Sequence, residues 1–399
     1  MKLNEPYLII ELNDNNIIIF VISFNDKRDF KLLKKIILES EGIQNGRIVD
    51  IEIISKLLKK NINNIEEDLD YFFSNVTTVI NPNQVNCLNV SGYKKLNGSQ
   101  VSNEDITYIL NDIKKIILES ENNSVLVHLF NSNFSLDSDN LESLPIGLFG
   151  EFYNQNMTFF LMNKNFLKNV KSVFNNCGLT IEKIILKPFA QGVNLLSNNH
   201  SDKNFTIFRL ERNRINISLF KNKSFIFTED FNFGIDLIIK DISKLCSLKI
   251  NAVEDLIKEV KFENIIVKNN DPYLEKKYFY SSPYRKIRYQ LILDIMYARL
   301  EELFDVCYKK NTNIKNLRNK DKIYVHIDSS EYSENIQYLI EKNNITTSEC
   351  IFSNSTEQTL QSCVTGACEL ISKGWEKEAI PIIHKKKSFI SGFFSKLFS

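Results

Sequence analysis

At 399 residues the chain is long enough for two or more domains with substantial cores. Its 43% hydrophobic and 25% charged content is ordinary for a globular protein, and a net charge of +1 gives no global field for nucleic acid. Met1 to Pro6 shows no signal-peptide pattern, and no apolar run approaches the ~20 residues of a membrane span.

Tyr7 to Leu12 and Ile17 to Phe24 are β-branched-rich runs around Asn13-Asp14-Asn15-Asn16, a turn signal, and are expected to form a hairpin. Phe30 to Leu38 is a third strand or a short helix. Val49 to Asn61 and Ile62 to Asn75 have helical periodicity and are expected as two consecutive helices. Strand patterns follow at Thr77 to Ile80 and Cys87 to Ser91, then a polar loop from Gly92 to Ser102. Asn103-Glu104-Asp105 reads as a helix start with Asn103 as the cap, and the helix runs to about Glu121. Ser124 to Phe130 and Met157 to Asn163 are strands flanking the loop Pro145 to Gly150. Asn165 to Cys177 is a helix closed by Gly178, before a strand at Thr180 to Leu186 and a helix at Pro188 to Leu196.

The polar stretch Ser197 to Asn204 is a candidate boundary. After it, Phe205 to Leu210, Ile215 to Phe220 and Ser224 to Asp230 repeat the three-strand opening of the N-terminus. Helices are expected at Ile235 to Leu248, Ala252 to Val260, Tyr284 to Lys309, Glu331 to Asn343 and Glu357 to Ser372, with a strand at Asp321 to Ile327. Two halves that open alike imply a duplicated α/β architecture.

The seven cysteines form no Cys-x-x-Cys pair and are expected as reduced thiols. His128, His200, His326 and His384 are isolated, and His128, in an apolar strand, is expected to be a satisfied core residue. No Ser-His-Asp or Cys-His constellation and no metal-ligand spacing is visible.

The last residues carry the clearest amphipathic signal. Wound as a helix, Phe389, Ile390, Phe393, Phe394, Leu397 and Phe398 fall on one half of the circumference, and the serines and Lys396 on the other. Such a face suits the boundary between headgroups and acyl chains. Lys385, Lys386 and Lys387, just before it, would be drawn to anionic lipid by ~1 kcal/mol each. The bland alternative is a helix docked on the protein's own surface.

Several stretches together resemble the FtsA family of actin-like bacterial cell-division proteins. They are Glu39 to Glu52, Val90-Ser91-Gly92 with Ile106-Thr107, Gly147-Leu148-Phe149-Gly150, and Arg285 to Leu303 with Arg299-Leu300-Glu301-Glu302, in the family's order, with the tail at the family's position. The resemblance implies an α/β, actin/Hsp70-like two-lobed fold of duplicated RNase H-like halves with an inserted SHS2-like subdomain, 1C. Residues 1–80 and 159–197 would form the first lobe, 81–158 the insertion, 198–372 the second lobe, 373–387 a linker and 388–399 the membrane-targeting helix. It further implies an adaptor at the division septum, on the cytoplasmic face of the inner membrane. Such an adaptor tethers filaments of the tubulin-like GTPase FtsZ, self-associates into filaments and recruits later division proteins through 1C. The other classes weighed are an ATP-hydrolysing filament former and a PilM-like scaffold of a pilus or secretion machine.

Family members bind ATP on glycine-rich turns, where backbone N–H groups approach the phosphates. Here the corresponding turns read Glu11-Leu12-Asn13-Asp14, Arg209 to Arg214 and His326 to Ser330, without a glycine. One uncompensated acid ~4 Å from a phosphate costs about 4 kcal/mol at an effective dielectric of ~20. Arg209, Arg212 and Arg214 could offset that charge, but Cβ atoms at turn positions that must have φ > 0 are strained and block the backbone's approach, so ATP and Mg binding is expected to be lost or very weak, and hydrolysis is not expected. The residues nearest to a nucleotide role are Glu11, Asn13, Asp14 and Asn213, the two asparagines being able to replace glycine in a left-handed turn. Glu254 and Lys258 echo a family segment that meets the nucleotide, or form a surface ion pair four residues apart. On the expected long helix, Arg288, Arg299 and Glu302 can share an exposed face while Leu291, Ile295 and Leu303 point inward. The resemblance assigns that face, Arg299 above all, to the C-terminal peptide of FtsZ. The simpler alternative is an Arg299–Glu302 pair within the helix.

Overall fold

The computed structural model describes residues 5–198, 202–266, 272–280, 283–317, 322–328, 330–343, 345–346, 348–352 and 356–381. The whole expected tail, including Lys385, Lys386, Lys387 and the apolar residues from Phe389 to Phe398, lies outside them. The chain divides into two compact units. Of the described residues, the first holds those within 5–203, 220–228 and 362–381, and the second those within 204–219 and 229–361.

The expected opening strands form β1 (Pro6–Leu12), β2 (Asn16–Phe24) and β3 (Phe30–Glu39), each antiparallel to the next. A short hairpin of β4 (Ile43–Gln44) and β5 (Arg47–Ile48) turns through Asn45 and Gly46, both at positive φ, the left-handed pair that such a tight turn requires. The two helices expected next are one, α1 (Ile51–Leu69). Its buried stripe Ile54, Leu58, Ile62, Ile65 runs unbroken through the asparagines, and Asn61 donates to the Leu57 carbonyl instead of interrupting the helix. Then come β6 (Asn75–Ile80), β7 (Val85–Lys95) and α2 (Asn103–Ser120). Asn103 does not cap α2. Ser102 does, in a reciprocal box with Asp105, because the three-residue spacing belongs to that pair. The unit continues with β8 (Ser124–Leu136), β9 (Asp139–Leu141), β10 (Phe152–Asn163), α3 (Lys164–Asn176), β11 (Thr180–Leu186) and α4 (Lys187–Asn198).

β12 (Phe205–Leu210), β13 (Ile215–Lys221) and β14 (Ser224–Phe231) follow, then α5 (Ile235–Cys246), α6 (Ile250–Glu259), α7 (Phe262–Ile266) and α8 (Tyr289–Phe304). The expected helix from Tyr284 starts late. Residues before it run extended beside 272–274, with Leu274 N–H donating to the Ile287 carbonyl and Tyr289 N–H to that of Pro272. A π turn, Asp305–Lys309, extends α8. β15 (Lys322–Ile327), α9 (Ser330–Lys342), β16 (Cys350–Phe352), α10 (Thr356–Ser372) and β17 (Glu378–Pro381) complete the described chain.

The sheet orders carry the duplication. One sheet runs β11-β6-β1-β2-β3 and another β16-β15-β12-β13-β14, so each places a three-strand opening beside two later strands, parallel where β6 meets β1 and β15 meets β12. β7 to β10, which start in the stretch expected as the insertion, form a third sheet with β17, in the order β17-β8-β10-β7 with β9 on β8. Helix α2 packs on β7 at Gly92, where a Cβ would lie 2.3 Å from Ile109. Ile106, Ile109, Leu110 and Ile113 of α2 join Leu129, Met157 and Phe159 in one core.

Candidate functional site

The turn between β1 and β2 closes through Asn13 N–H to the Asn16 carbonyl at 3.1 Å, and none of its residues has positive φ. Asn13 is thus not standing in for a left-handed glycine. Glu11, 1% exposed, points inward and meets Lys187 Nζ at 3.3 Å and Asn13 Nδ2 at 2.7 Å through Oε1. Lys187 also reaches Asn13 Oδ1 at 3.4 Å. Asp14 accepts from the Gly46 N–H at 2.7 Å, so the β4–β5 hairpin is tied to this turn. The hollow beside it, about 250 Å³ with its open side, is lined mainly by Leu12, Ile43, Ile48, Ile80 and Phe166. Asn13 Nδ2, Lys187 Nζ and the Gly46 N–H thus meet the chain's own carboxylates.

In the second unit the matching turn is also filled from within. Glu211 N–H donates to the Arg214 carbonyl at 2.8 Å, and neither Arg212 nor Asn213 has positive φ. The carbonyls of Glu211 and Arg212 accept from Ile235 and Asp236 N–H at 3.1 and 2.8 Å. Two amides at the N-terminus of α5, the usual place for an anion, are thereby spent on backbone oxygens. Gly234 permits this approach, since a Cβ there would sit 2.2 Å from the Glu211 oxygen. Arg209, 0% exposed, pairs with Glu211 at 2.9 Å, and Arg214 lies 3.4 Å from Glu211 and 3.7 Å from Asp230. Burial pushes the Asp230 carboxyl up against the pull of Arg214 and Arg209. Glu254 and Lys258 do not pair with each other. Glu254 binds Arg212, which also holds Asp236 at 2.9 Å, and Lys258 binds Glu331 at 2.8 Å. At the third turn Asp328 N–H donates to the Leu210 carbonyl at 3.0 Å. At these turns several donors are taken from within: Asn13 Nδ2 and Lys187 by Glu11, the Gly46 N–H by Asp14, and the Ile235 and Asp236 N–H groups by the Glu211 and Arg212 carbonyls.

On α8, Arg299 is engaged on both sides, by Asp241 of α5 and by Glu302 at 2.6 Å, and the bond to Asp241 raises its pKa. Arg288 occupies the N-cap position of α8, where its side chain makes no capping hydrogen bond, and is exposed. Ile295 and Leu303 are buried as expected, but Leu291 is 46% exposed. The helix buries Ile292, Leu293 and Met296 instead, and Leu291 falls on the Arg288–Glu302 face. Leu245, one turn beyond Asp241 on α5, is 69% exposed. Those exposed leucines were invisible to periodicity, as were Lys187 and Gly234, whose partners are distant in sequence. His128 is buried as expected, bonded to Glu378.

No family model matches the chain. In sequence it is similar to "Cell division protein FtsA" of Neisseria meningitidis, 22% identical over 267 residues, which is 67% of this chain and 64% of that protein. The like-named protein of Buchnera aphidicola subsp. Schizaphis graminum is 19% identical over 298 residues, 74% of this chain and 70% of that one. That of Escherichia coli K12 is 18% identical over 204 residues, 51% and 48%. The match thus spans 48–70% of the length of these relatives. Among solved structures, a chain of the "PilM-PilN type IV pilus biogenesis complex" covers 92% of this chain and 97% of its own length, with a TM-score of 0.53 at 11% identity. With the duplicated sheets above, the chain has an actin-like fold, and in sequence it is a divergent, FtsA-like one.

Proposed function

We propose that this chain is an FtsA-like cell-division adaptor: it binds the C-terminal peptide of FtsZ, associates with copies of itself, attaches by its tail to the cytoplasmic face of the membrane at the septum, and recruits later division proteins through the inserted subdomain. The similarity to FtsA proteins carries this reading. The filled turns support a further point, that the adaptor works without ATP turnover. Incubation with Mg-ATP at about 10 mM is expected to leave the melting temperature unchanged. A ligand with Kd of about 0.1 mM would add about 2.7 kcal/mol at that concentration, so a clear upward shift ends the nucleotide-free reading.

The face of α8 and α5 suits an acidic, apolar peptide, because cationic Arg288 and Arg299 flank exposed Leu291 and Leu245. Asp241 and Glu302 already hold Arg299, so a peptide carboxylate must compete with them. Arg299→Glu is expected to weaken binding of the FtsZ tail peptide by about 2 kcal/mol, roughly thirtyfold. Glu302→Gln, which removes a competitor, should tighten it a few-fold. Fluorescence anisotropy with the labelled peptide measures both, and equal affinities for wild type and the two variants would move the contact elsewhere. The PilM likeness favours a second reading, a scaffold in a pilus or secretion machine. An inert FtsZ peptide together with a tail that ignores lipid would select it.

A further inference from the structure

Residues 373–381 lie within the expected linker, yet they are fastened to the first unit. β17 adds to the β8 edge of the inserted sheet, with Glu378 opposite Phe130 and Pro381 opposite His128, and Asn131 N–H donates to the Lys377 carbonyl at 2.9 Å. Ala379 is fully buried in the core of the inserted sheet. Trp375 Nε1 donates to the Lys223 carbonyl at 2.9 Å, and Lys377 Nζ to that of Glu142 at 2.7 Å.

The seal is Glu378. Its carboxylate is buried and lies 2.7 Å from His128 Nδ1, while His128 Nε2 accepts from the Leu186 N–H at 3.2 Å. With Nε2 accepting, Nδ1 carries the proton and donates to Glu378. The buried Lys183, which donates to the Leu370 carbonyl at 3.2 Å, lies in the field of the same carboxylate. A peptide that merely led outward would not bury a carboxylate, since that costs several kcal/mol unless its partners are fixed.

We infer that β17 is a strap that shortens the membrane tether and thereby sets how far the inserted sheet stands from the lipid. This inference rests on the tail acting as the anchor. With the strap docked, residues 382–387 alone separate the sheet edge from the amphipathic segment, a reach of at most about 20 Å. With it released, 373–381 add up to about 30 Å more. The strap therefore holds the inserted subdomain next to the headgroups, and its undocking is a means of raising the body of the protein without loss of attachment.

Hydrogen–deuterium exchange on the full chain tests docking, and neutron reflectometry on a supported anionic bilayer tests height. In the wild type, amides of 376–381 and of 128–131 are expected to be protected, and the protein layer to begin within about 20 Å of the headgroups. Glu378→Ala should speed exchange across β17 at least about tenfold and raise the layer, with co-sedimentation on vesicles retained. A second variant, nine Gly/Ser residues inserted after Pro381, should raise the layer while exchange in β17 stays slow, and it does not depend on Glu378→Ala folding. Unprotected β17 amides in the wild type, or a wild-type layer already as high as that of the insertion variant, overturn the strap and leave the tail as anchor. A wild type that does not bind the bilayer at all overturns both readings.

Discussion

Lys187→Met is expected to lower the stability of the first unit by about 3–5 kcal/mol, because it strands the Glu11 carboxylate in the interior. Glu11 is 1% exposed, one of its oxygens, Oε2, has no hydrogen bond among the described residues, and Lys187 and Asn13 meet the other. In a unit of this size such a loss moves the melting temperature by roughly 10 °C. Adding Glu11→Gln to Lys187→Met should restore most of it, since a neutral amide beside a thioether needs no counter-charge. Thermal unfolding of the wild type, both single variants and the double variant closes a cycle in which the coupling isolates the pair. A Lys187→Met protein melting with the wild type would mean that Glu11 does not depend on Lys187, and the turn would then be open to a ligand after all. The result thus bears on function as well as stability, because the same side chains lie where the family resemblance puts a phosphate.

What could be read from the chain follows from the range of the forces involved. The opening strands are legible because β-branched runs and an Asn-rich turn are local signals. The break expected inside α1 was not real, because asparagines on its outer face leave the buried stripe intact. β16 and β17 escaped notice, being three and four residues long and paired with strands far away in sequence. The orientation of Leu291 was misjudged because α8 is apolar on most sides, so periodicity selects no face. At the turns, missing glycines were visible in the sequence. That Glu11 turns inward onto Lys187 was not, since Lys187 opens a helix distant in sequence, whereas Arg209 and Arg214, the partners of Glu211, lie only two and three residues from it.

Truncation before Lys385 is expected to remove the protein from anionic vesicles, and Phe393→Asp or Phe394→Asp to come close to the same result. Six apolar side chains, each gaining part of the ~1.5–3 kcal/mol available for full burial, give roughly 5–9 kcal/mol in total. Ordering a short helix removes several of these, so one tail binds weakly. An assembly of many chains presents many tails at high effective concentration, which makes weak anchors firm without any new contact. Lys385, Lys386 and Lys387 add attraction that fades with salt. Raising salt should therefore weaken a single chain more than an assembled one. No helix among the described residues is long and apolar enough to cross a membrane. Co-sedimentation with phosphatidylglycerol vesicles, at low and at physiological salt, separates the outcomes. If the truncated chain pellets with vesicles as the full chain does, the lipid contact lies on the folded units and the tail is the self-docked helix of the bland alternative.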